Sequence, residues 1–186
     1  MSRTAIVPLI AAAALGGCGE DPPATRPKVP VVTGPIVEHA DASAGVSFAA
    51  SSFPCCSTAE LTAAVGAFVG LGEALAADDS TAASERASAL GSALAALPPD
   101  TKSAAEMVSL SGRMAGQDLE GIREEFLDLS GLILAMARAG RSDDGAVRVA
   151  VAFCPMKPGR WLQATEGIKN PYYGASMLTC GVFEAP

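Results

Sequence analysis

The chain has 186 residues, with 13 Lys and Arg against 20 Asp and Glu, one His, five Cys, and 49% apolar but only 5% aromatic residues. That length suits one domain, and the apolar fraction is enough to fill a core, which argues against disorder throughout. The formal charge of −7 argues against nucleic acid or an anionic lipid face as partner, and a single His leaves little scope for imidazole catalysis.

Residues 1–17 carry Arg3, an apolar run from Ala5 to Leu15, and Gly16-Gly17 before Cys18. A basic start, a short apolar stretch and a small-residue cleavage site predict a secretory signal peptide, too short to span a bilayer as a mature helix. Leu15-Gly16-Gly17-Cys18 also resembles a bacterial lipobox. It implies that Cys18 is lipidated, becomes the new N-terminus and ties the chain to the membrane through acyl chains. Gly19, not Asp, follows Cys18, so the resemblance implies the outer membrane, facing the periplasm. Cleavage removes Arg3 and no acid, leaving 12 basic and 20 acidic residues, a net −8. Such a compartment is oxidising.

Residues 18–54 hold Pro22, Pro23, Pro27, Pro30 and Pro35 among Gly, Ala and Ser, and predict a tether without regular structure. His39 falls there and reads as a solvated linker residue. From Cys55 to the end, one domain is expected. Ser57 and Glu60 form a capping-box pattern ahead of Leu61, Val65, Phe68 and Leu75, and Asp78-Asp79-Ser80 opens a second helix that Pro98-Pro99 stops. A third helix presents Met107, Leu110 and Met114. The fourth presents Leu119, Ile122, Phe126, Leu129, Ile133 and Met136, with Gly140 as its C′ residue. Methionines at helical spacing among Leu and Ile are expected as core filler. The prediction is a mainly α fold, an antiparallel four-helix bundle with a small C-terminal β-hairpin or loop motif. That motif begins where the period changes to two, at Val147, Val149, Val151 and Phe153. A second strand or tight turn is expected near residues 176–183.

The unusual residues collect in this tail: Cys154-Pro155-Met156 and Met177-Leu178-Thr179-Cys180. Thiolates and thioethers are soft donors that select Cu(I), with Ag(I) as its mimic, whereas zinc recruits further Cys or His. Cys154 and Met156 would share one side of a strand, and Met177 and Cys180 one face of a helical or 3₁₀ turn. The competing expectation is a Cys154–Cys180 disulfide that staples the tail of a metal-free protein-interaction module. Cys55 and Cys56 read as an accessory to the metal site or as disulfide partners, four mature thiols besides Cys18 allowing three connectivities. No nucleophile elbow, His-containing metal motif or paired carboxylates stand out, so no enzymatic activity is expected.

Phe153-Cys154-Pro155-Met156, Trp161-Leu162, Ile168-Lys169-Asn170-Pro171-Tyr172-Tyr173-Gly174 and Met177-Leu178-Thr179-Cys180-Gly181 together resemble the signature of the DUF3347 family. That domain occurs in bacterial envelope proteins and at the C-terminal end of some heavy-metal efflux periplasmic adaptor subunits. The likeness covers roughly residues 57–183, taking in Ala74–Asp79 and Phe126–Ser130. It implies copper or silver binding through Cys154, Met156, Met177 and Cys180, and a heavy-metal efflux system as partner. Trp161, Asn170, Tyr172 and Tyr173 would then shape the loop around the ion.

Overall fold

The computed structural model describes residues 52–186; the lipobox with Cys18, most of the tether and His39 lie outside them. Four helices and a four-stranded antiparallel sheet make up the fold, with strand β1 at Ser52–Cys55 and then helices α1 (Ala59–Ala76), α2 (Ser80–Ala95), α3 (Ala104–Arg113) and α4 (Leu119–Ala139). Strands β2 (Val147–Cys154) and β3 (Gly159–Gln163), a 3₁₀ helix (Gly174–Met177) and strand β4 (Val182–Glu184) follow.

Each helix starts and stops for local reasons. The Thr58 hydroxyl, not Ser57, accepts from the Leu61 amide and caps α1. Asp79 caps α2 through Ala82, and Asp118 caps α4 through Gly121. Gly140 does end α4, but with φ −87° it is no left-handed C′ residue. Its missing side chain matters differently, since a Cβ there would stand 3.1 Å from Leu61 Cδ1.

The apolar stripes of the helices face inward. Val65, Phe68, Leu71 and Leu75 of α1, Leu90 and Leu94 of α2, and Ile122, Phe126, Leu129 and Ile133 of α4 are buried. Met107, Met114 and Met136 are buried with them, as core filler should be. Phe68 stacks on Phe126 with ring centroids 4.4 Å apart. Gly72 permits that approach, because a Cβ there would sit 3.3 Å from Phe126 Cζ.

The sheet is larger than the predicted hairpin. β2 is its centre: β3 pairs along one edge, while β1 takes Val147–Ala150 and β4 takes Val151–Phe153 along the other. Four consecutive residues, Val149 to Ala152, are therefore buried; a central strand covered on both faces loses its polar alternation. β1 overlaps the end of the predicted tether, and its Phe53 is buried opposite Val149. β3 has no counterpart among the predicted elements.

Candidate metal centre

Cys154 is the last residue of β2 and is fully buried. Directly opposite residues of antiparallel strands share a face, so Cys154 lies with Ala152, Gly159 and Trp161 on one side of the sheet. That side rests on Tyr172, whose ring meets Trp161 edge-on at 5.5 Å and Phe126 at 6.0 Å.

Residues 170–181 return the chain to Cys154. Asn170 is completely buried, its side-chain amide donating to the Cys180 carbonyl at 2.7 Å and its Oδ1 accepting from the Tyr172 amide at 2.9 Å. The Cys180 amide donates to the Met177 carbonyl at 2.9 Å, which fixes these two residues in one turn. The result is a pair of free thiols, Cys154 and Cys180, with sulfurs 3.9 Å apart.

The pair is electrically unequal. Burial works against a Cys154 thiolate, while the nearby Lys157 amide, Asn170 side chain, Met156 amide and Cys180 thiol favour it. Together they hold its pKa below the ordinary thiol value. Burial pushes Cys180 up, and its hydrogen bond to Cys154 and the charge there push the same way.

A second network clamps the loop to the helices. Arg123 of α4, nearly buried, donates to the Asp78 carboxylate, to the Leu75 carbonyl at 2.9 Å and to the Pro171 carbonyl at 3.0 Å. Asp78 in turn accepts from the Ala175 amide at 2.9 Å. Gly174, at φ +55°, lies so close to Asp78 and Arg123 that any Cβ would collide with both. The Tyr172 hydroxyl donates to the Arg160 carbonyl at 2.6 Å, beside Ser130 Oγ, and Gln163 accepts from Trp161 and from the Lys169 amide. Sequence reading missed Asp78, Arg123, Ser130 and Gln163. The available signal was a charge and a hydroxyl at positions 123 and 130, seven apart on the apolar stripe of α4.

The thioethers are placed less tightly than the thiols. Met156 is in the turn after β2, not in the strand, and is 62% exposed; the expectation that Cys154 and Met156 share one strand face fails because the strand stops at Cys154. Met177 ends the 3₁₀ helix and is half-buried. Among the described residues no three His, Cys, Asp or Glu side chains gather at one point, so an ion here must draw further donors from Met or backbone.

Cys55 and Cys56 are disulfide-bonded to each other. Cys55 pairs with Val147, at the far end of β2 from Cys154. Seven strand residues at ~3.3 Å each put about 23 Å between the two sulfur pairs, so Cys55 and Cys56 can neither join this site nor bond to Cys154 or Cys180.

A donor-set test is met by the thiols. Two sulfurs on one tetrahedral ion, at about 2.3 Å each, stand roughly 3.8 Å apart, and the observed separation is 3.9 Å. No family model, curated protein or solved structure matches the chain.

Proposed function

We propose that this chain is a lipid-anchored envelope protein that holds a soft monovalent ion, Cu(I) or its mimic Ag(I), at the tail. Cys154 and Cys180 supply the thiolates, and Met156 and Met177 swing in as thioether donors. Its role is to buffer copper or hand it to a heavy-metal efflux system, as the DUF3347 likeness implies, with no catalysis of its own. The observation that carries the reading is the free thiol pair at 3.9 Å, with the Cys154 pKa held below the ordinary thiol value. The exposed Met156 and half-exposed Cys180 give an ion a route in and out.

Titrating reduced protein with Cu(I) against a competing chromophoric chelator tests this. One tightly held ion is expected. Replacing Met156 and Met177 by Leu should weaken it by about tenfold or more, roughly 1.4 kcal/mol, and replacing either Cys by Ser should cost more. Unchanged affinity without the thioethers would overturn the four-donor site, and unchanged affinity without the thiols would overturn the metal reading altogether.

A further inference from the structure

The sulfur pair has a geometry suited to a second chemistry. A disulfide needs its sulfurs about 2.05 Å apart, so from 3.9 Å they have ~1.8 Å to close. The two sulfurs also differ in access: Cys154 is fully buried, whereas Cys180 is half-buried at the surface end of the loop. The backbone on either side of Cys180 is held by Asn170 and Met177, so closure need not unravel the loop.

We propose that Cys154 and Cys180 form a reversible thiol–disulfide exchange site, with Cys180 as the attacking sulfur and Cys154 as the resolving one. The oxidant is an exogenous disulfide, either a low-mass thiol dimer or a disulfide-carrying envelope protein. Cys180 gives its proton to solvent and attacks one sulfur of that disulfide. A Cys180 mixed disulfide forms, and the first partner thiolate leaves and takes up a proton. Cys154 then gives up its proton and attacks the Cys180 sulfur, the intramolecular bond forms as the mixed disulfide breaks, and the second partner thiolate departs and takes up that proton. Two protein thiols are oxidised and one disulfide is reduced to two thiols. Resting on the metal reading above, the same bond withdraws both thiolates from the ion, so oxidation empties the site.

The test is metal-free, which separates its failure from failure of the copper reading. Reduced protein is mixed with oxidised glutathione, quenched at intervals with an alkylating agent, and mapped by peptide mass. The wild-type chain is expected to end with Cys154 bonded to Cys180 and no retained glutathione. Cys154→Ser should accumulate a stable glutathione adduct on Cys180, and Cys180→Ser should react at Cys154 at least about tenfold more slowly, because access limits exchange. The proposal is overturned if wild-type protein keeps glutathione on Cys180 without closing, does not react, or is modified first at Cys154. The wild-type products decide the matter should a serine variant not fold.

Discussion

Asn170 does more than any other side chain in the tail to hold the site together. Completely buried, it links the Cys180 carbonyl, the Tyr172 amide and, through its backbone, Leu178 and Gly174. Asn170→Ala leaves a carbonyl and an amide unpartnered in the interior. The expected loss is about 2 kcal/mol in urea unfolding, since unsatisfied buried groups cost more than the bond itself was worth. Thiolate absorbance should also show Cys154 titrating at higher pH in that variant, because one of its donors is gone. Tyr172→Phe is milder. It removes the bond to the Arg160 carbonyl but keeps the ring contacts, and about 1 kcal/mol should be lost. Cys154 and Cys180 stood out in the sequence as soft donors, and Asn170 and Tyr172 only through the DUF3347 likeness. That the Cys154 pKa lies below the ordinary thiol value could not be read there, since amides of a turn and a distant side chain decide it.

At the scale of elements, two of the three glycines of α1 have opposite roles. Gly66 is exposed and a Cβ added there would meet open space, whereas a Cβ on Gly72 would press on the buried, stacked Phe126 ring. Gly66→Ala should stabilise the fold by about 0.5–1 kcal/mol through helix propensity. Gly72→Ala should show no gain or a loss, and thermal unfolding of the two variants measures the contrast. The loop at residues 170–175 depends on Asp78. The Ala175 amide and the Arg123 guanidinium hold its carboxyl below the ordinary carboxylate range. A depressed folded value makes the contribution whole above the unfolded value of about 3.9, and lost as the pH falls through the folded one. Trp161 fluorescence should therefore report loosening of the tail below about pH 4, and Asp78→Asn should already be loosened at neutral pH and flat across that window. Asn accepts the left-handed φ of 56° found there, so the backbone is not disturbed. Helix positions were legible in the sequence because apolar spacing and caps are local. β1 and β3 were not, since Ser52–Cys55 contains Pro54 and Gly159–Gln163 follows Pro158; both exist through pairing with β2, a long-range contact that periodicity does not encode.

Across the whole molecule, β2 separates two kinds of sulfur. One end carries the closed Cys55–Cys56 pair and the other the open Cys154–Cys180 pair. Cysteine counting left three connectivities open, and only the fold shows that the adjacent pair is too far from the tail to compete for its thiols. The sequence marked four sulfurs but not their placement: β2 ends at Cys154 and leaves Met156 exposed in the turn that follows. The proposed membrane attachment is tested at this scale too. Cys18→Ala should release the protein from the membrane fraction without altering its copper affinity, because the anchor and the site are far apart in the chain; loss of copper binding on release would contradict that independence. The central claim, a soft ion held by sulfur at the tail, is tested most directly by copper-edge X-ray absorption on reduced, Cu(I)-loaded protein. The account predicts a first shell made of sulfur alone that collapses when Cys154 and Cys180 are both replaced by Ser. A shell dominated by nitrogen or oxygen, or one that survives loss of both thiols, would contradict it.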